Sequence, residues 1–136
     1  MAQRPRLYQD VESCVDAIIK KVGKDIVLGI PLGLGKPCQL TNALYHRAKS
    51  DPSIHLHIIT ALTLELPRWS SELERRFLEP FVQRVFGDCP SLQYATDLRR
   101  DDIPENIQIT EFFMKPGGFI GVPPAQQNYI SCNYTH

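Results

Sequence analysis

The chain has 136 residues, room for one domain with a substantial core and too few for two. Hydrophobic residues make up 43% and charged residues 22%, a globular balance, and 15 Lys plus Arg offset 15 Asp plus Glu. Zero net charge argues against nucleic acid or an anionic membrane as the main partner, and no apolar run approaches the length of a membrane span.

The first residues carry positive charge at Arg4 and Arg6 with no apolar segment behind them, which argues against a secretory signal. The cysteines at 14, 38, 89 and 132 are widely spaced and form no Cys-x-x-Cys pair. They read as reduced thiols, and the expected location is cytoplasmic. Asp10 can cap a first helix, whose apolar stripe is Val11, Val15, Ile18, Ile19 and Val22, and Gly23 ends it.

Residues 25–30 read as a buried strand, since Ile26, Val27 and Leu28 are continuously apolar. A loop over 31–36 carries Gly33 and Gly35, where the backbone can turn sharply or approach a ligand. Pro37 suits the first turn of the helix that follows, with Leu40, Ala43, Leu44 and Ala48 as its inner stripe. Asp51, Pro52 and Ser53 make a turn, and 54–60 is the next strand. Strand, helix and strand of these lengths predict a right-handed parallel βαβ unit.

The glycine loop fails two familiar phosphate patterns. Five residues separate Gly29 from Gly35 where a P-loop has four, and Pro37 replaces its hydroxyl residue. Cys38 follows Pro37, so the third glycine of the dinucleotide pattern is missing. What remains is a strand-to-helix turn at the carboxyl end of a sheet, where α/β proteins bind ligands.

His55 and His57 point to one face of their strand, with no third ligand identifiable, so a structural reading outweighs a metal site. Cys38 at a helix N-terminus could have a lowered pKa, although a small buried filler is the better reading. Glu65 follows the second strand, where α/β enzymes place working carboxylates, but alone it reads as a surface residue.

Ser71, with Glu74 at capping-box spacing, starts a further helix whose face is Leu73, Phe77, Phe81 and Val85. Trp69, Phe77, Phe81 and Phe86 read as a core stripe. Pro80 inside this helix predicts a kink or two short helices. Segment 97–106, with Arg99, Arg100, Asp101 and Asp102, reads as a charged surface connection. Residues 107–114 fit a strand or a short helix. Residues 116–124 are loop, and 129–135 read as a third buried strand that ends at His136 with nothing behind it to cover it. The expected fold is α/β, a mostly parallel open sheet with helices on both faces. The expected organisation is one domain over 1–136, the N-terminal piece of a longer protein.

Several segments in order resemble the acetyl-CoA hydrolase/transferase family: Gly29-Ile-Pro-Leu-Gly-Leu-Gly-Lys-Pro-Cys-Gln-Leu-Thr-Asn-Ala-Leu44, Ile58-Ile-Thr-Ala-Leu-Thr-Leu64, Phe112-Phe-Met-Lys-Pro-Gly117 and the stretch from Pro124 to His136. The resemblance implies two similar α/β domains with the active site between them. It implies acyl-CoA as substrate, a carboxylic acid or water as acceptor, and no tightly bound cofactor. It implies a glutamate nucleophile on the C-terminal domain, since no residue here matches that motif. On this reading Gly33, Leu34 and Gly35 form a wall at the thioester, and Asn133 and His136 end a strand facing the same cleft. The segment 116–124 would flank it. The alternatives are a non-catalytic module for a phosphorylated ligand and a scaffold that pairs with another chain, or a second copy of itself, through an open sheet edge.

Overall fold

The computed structural model describes residues 5–67 and 69–130. Its elements are α1 (Val11–Val22), β1 (Asp25–Gly29), α2 (Cys38–Ser50), β2 (His55–Thr60), α3 (Glu72–Phe86), α4 (Gln93–Arg99), β3 (Ile107–Glu111) and α5 (Pro123–Gln127). The strands form one parallel sheet in the order β1-β2-β3. The fold is α/β with an open parallel sheet.

Local chemistry sets the early elements. The Asp10 carboxylate accepts from the Ser13 backbone N–H at 2.7 Å, and Glu12 in the first turn and Lys20 and Lys21 in the last complement the dipole of α1. Gly23 ends the helix at φ 98°, a conformation that a Cβ would oppose. The inner faces of the strands supply Ile26, Leu56, Ile58, Ile107 and Ile109 to the core. Val15, Leu44, Tyr45, Ala48, Tyr94 and Leu98 meet them from α1, α2 and α4. Each fully buried large side chain of this kind contributes about 1.5–3 kcal/mol.

Only one face of β1 and β2 is covered among the described residues. Burial alternates along the strands: Ile26, Leu56 and Ile58 are buried, whereas Asp25 and His55 are exposed and Val27 is 67% exposed. Helices on both faces were expected. The order β1-β2-β3 has no reversal, and right-handed crossovers stepping in one direction place their helices on one face.

Three further expectations are corrected or resolved. First, Leu73, Phe77 and Phe81 are not a core stripe: Leu73 is 79% and Phe77 81% exposed, and Phe81 and Trp69 are exposed too. The helix carrying them is unbroken at Pro80, with the Ser71 hydroxyl capping Glu74 N–H at 3.2 Å. Second, the segment from 97 is no simple surface connection. Asp97 belongs to α4 and is buried. Third, residues 107–111 form a strand. Tyr129 bridges Glu111 in parallel and the Ile130 N–H donates to the Glu111 carbonyl, yet both Tyr129 and Ile130 are exposed. The rest of the strand expected over 129–135 lies outside the described residues.

Phe77→Ala is therefore expected to cost less than about 1 kcal/mol in a urea melt of the chain, against about 3–5 kcal/mol for a core phenylalanine. A core-sized loss would show that α3 turns this face inward in solution.

Candidate functional site

The carboxyl ends of β1, β2 and β3 lead into three loops that are laced together. The Gly33 N–H donates to the Leu62 carbonyl at 3.1 Å, and the Leu62 N–H donates to the Phe113 carbonyl at 2.6 Å. Leu62 makes both bonds from φ 45°, a left-handed conformation that a non-glycine residue holds only when its neighbours fix it. Gly33 to Gly35 form a single 3-10 turn, with Gly33 at φ 60°.

Beneath the loops runs a buried polar network. The Lys36 side chain lies under the glycine loop, and the residue is only 5% exposed. Its ammonium donates to the Pro31 carbonyl at 2.6 Å, the Thr60 hydroxyl at 2.6 Å and the Ala61 carbonyl at 2.7 Å. Three donors meet three acceptors, so the group is saturated. Burial pushes the Lys36 pKa down, opposed by the negative charge of Glu111.

Glu111 ends β3 and is 3% exposed. Its carboxylate accepts from the Thr63 N–H at 2.7 Å and the Thr63 hydroxyl at 2.8 Å. The Tyr94 hydroxyl, 2.8 Å away, then donates to Thr63 Oγ1. Burial raises the Glu111 pKa, opposed by the Thr63 hydrogen bonds and by Lys36.

Two cavities adjoin this network. A small crevice is lined by Gly33, Leu34, Cys38, Leu64, Phe86 and Cys89. A cleft of about 230 Å³ is lined by Thr63, Leu64, Glu65, Arg99, Lys115 and Phe119 with the 116–118 turn. Leu64 lines both, so the glycine loop and the 116–118 turn border neighbouring cavities rather than one. In the cleft the Arg99 Nε meets both Glu65 oxygens at 2.7 and 2.8 Å, and the guanidinium stacks 4.7 Å over the Phe119 ring. Among the described residues the Lys115 ammonium has no hydrogen-bond or ion-pair partner.

Gly33, Leu34 and Gly35 sit together at the carboxyl end of β1, and Leu34 and Gly35 are exposed. Asn133 and His136 lie outside the described residues. Glu65 is held by Arg99. Cys38 does not have a lowered pKa: burial and the adjoining Cys89 thiol push it up to about 11. His57 Nε2 lies 2.7 Å from Thr110 Oγ1 on the open face, and no cluster of three metal-ligating side chains occurs among the described residues. No described helix is long and apolar enough to cross a membrane.

Lys36, Glu111 and Tyr94 are absent from the residues that motif reading selects. One signal was available: Ile107, Ile109 and Glu111 share a parity, so strand alternation alone aims Glu111 at the core. Comparison of the chain with protein-family models, with curated proteins and with solved structures finds no match.

Proposed function

We propose that this chain forms one wall of the thioester site of an acyl-CoA hydrolase or CoA-transferase. One observation carries the reading: Lys36 and Leu62 fix the glycine loop from below while Leu34 and Gly35 stay open to a ligand above. A fixed, exposed glycine backbone lets an acyl group approach within about 3 Å of main-chain N–H groups, where they stabilise an oxyanion without reorganising. The Gly33 N–H is already used by Leu62 and the 3-10 turn uses the N–H groups at its end, so the Leu34 N–H is the donor left for the ligand.

The attacking carboxylate lies elsewhere. Glu111 is buried against Thr63 and Glu65 is paired with Arg99, so neither is free to attack. A glutamate from a C-terminal domain of the same protein supplies it. That glutamate attacks the thioester carbonyl, expels the CoA thiolate and leaves an acyl-glutamyl anhydride. Returning CoA then releases the acid and leaves a glutamyl-CoA thioester; water instead gives hydrolysis. Lys115 offers its charge to a CoA phosphate or an acceptor carboxylate. The second reading is a non-catalytic ligand-binding or scaffold module, favoured by the exposed apolar stripe of α3.

Parallel calorimetric titrations with acetyl-CoA and ATP separate these. Acetyl-CoA is expected to bind at roughly 0.1–1 mM. ATP should bind several-fold more weakly, Lys115→Ala should weaken acetyl-CoA about tenfold (one lost charge contact) and no CoA should be released. Equal affinity for the two ligands favours the second reading. CoA release by this chain alone would overturn the external nucleophile.

A further inference from the structure

We propose that Cys38 and Cys89 are a modification site: a thiol pair that closes to a reversible intramolecular disulfide across the crevice beside the glycine loop. The two sulfurs lie 3.1 Å apart although the residues are 51 positions apart in the chain. Cys38 is the first residue of α2, and Cys89 sits in the connection from α3 to α4. The Cys89 thiol donates to the Cys38 sulfur, and the Cys38 thiol lies 3.4 Å from the Lys36 carbonyl. The sulfurs are thus already aimed at each other, and about 1 Å of approach brings them to bonding distance.

The connection around Cys89 can supply that movement. It is short, ends α3 at Gly87 with φ 55°, and its described main-chain hydrogen bonds from 87 to 90 are Gly87 N–H to the Gln83 carbonyl, Cys89 N–H to the Phe86 carbonyl and a long 3.8 Å contact from the Cys89 thiol to the Pro90 carbonyl. Cys14 is on α1, and no sulfur partner for it occurs among the described residues.

The chemistry balances with a hydroperoxide or with glutathione disulfide as oxidant. A hydroperoxide transfers one oxygen to the first thiol, giving a sulfenic acid and an alcohol (water, from hydrogen peroxide). The second thiol attacks that sulfur, the S–S bond forms and water leaves. With glutathione disulfide, the first thiol displaces one glutathione and the second displaces the other. The second step is intramolecular in either case and outruns capture by a second oxidant molecule. A small thiol reverses it. Burial and Cys89 raise the Cys38 pKa to about 11, so Cys38 is the slower thiol of the pair and acts second, on the Cys89 sulfur already oxidised or mixed with glutathione. The bond ties the α3–α4 connection to the start of α2 and fixes the crevice against Gly33 and Leu34, whatever ligand that loop takes.

The test is oxidation of the native chain with hydrogen peroxide, and separately with glutathione disulfide, followed by thiol titration and a non-reducing peptide map. The expected result is a fall of two titratable thiols from the four in the sequence, a mass loss of two hydrogens, and one Cys38–Cys89 crosslinked peptide. Dithiothreitol should restore all thiols. The oxidised chain should melt at higher temperature. Cys38→Ser should lose the crosslink and leave Cys89 trapped as a glutathione adduct. Four unchanged thiols, a crosslink to Cys14 or Cys132, or a linkage only between molecules would overturn the proposal.

Discussion

Lys36→Met is expected to destabilise the fold by about 3–5 kcal/mol, the largest loss of any single change at the carboxyl end of the sheet. Methionine keeps the length and apolar stem of the side chain, so packing changes little. It leaves the Pro31 carbonyl, the Thr60 hydroxyl and the Ala61 carbonyl without their donor, and it removes the positive charge that holds the Glu111 pKa down. A urea melt with unchanged m-value reads the loss, which corresponds to a fall in Tm on the order of 10 °C. A loss under about 1 kcal/mol would mean that relaxation or water satisfies those oxygens.

The pH dependence of that variant has a defined sign. The folded-state pKa of Glu111 is raised above its ordinary 4.5 by burial, and Lys36 holds it down. A raised pKa contributes stability below 4.5 that is lost as pH rises through the folded value. Without Lys36 the folded value rises further. The deficit of Lys36→Met should therefore be greatest at neutral pH and shrink as pH falls toward 4.5.

The second large effect is expected at Asp97. Its carboxylate joins α2 to α4, accepting from Tyr45 Oη at 2.8 Å, Lys49 Nζ at 2.8 Å and Gln93 Nε2 at 2.9 Å. Asp97→Ala strands the fully buried Tyr45 hydroxyl and should cost about 2–4 kcal/mol. Tyr45→Phe in the same chain should recover part of this, because removing both partners leaves no orphan. A double-mutant cycle that returns additive losses would show the pair is not coupled. Burial raises the Asp97 pKa, but hydrogen bonds from Lys49, Tyr45 and Gln93 outweigh it and hold the group below its ordinary 3.8. A depressed pKa gives stability present above 3.8 and lost as pH falls through the folded value, so the gap between the wild type and Asp97→Asn should close in strong acid.

What could be read from the sequence was local. Asp10, Gly23 and the Val11-to-Ile19 stripe fix α1 from interactions within a few residues, and the run Ile26 to Leu28 marks β1. The α3 stripe was equally clear as a face, but periodicity reports that a face exists and not what covers it. Lys36 and Glu111 escaped motif reading because their partners are distant: Lys36 meets Thr60 24 positions away, and Glu111 meets Thr63 48 away. Asp97 was hidden in a charged run, where its neighbours Arg99 to Asp102 suggest solvent. Only the fold reveals that Tyr45, 52 positions earlier, reaches it.

The outward turn of α3 also divides the molecule kinetically. β2 is paired on both edges and backed by the core, so its amides exchange with solvent only when the whole domain opens. α3 has no fully buried residue, and Pro80 within it supplies no N–H to its hydrogen-bond ladder. It can melt and re-form while the sheet stays intact. Amide exchange is therefore expected to divide the described residues into two cooperative units of unequal free energy, with the connection at Gly87 to Pro90 as the seam between them.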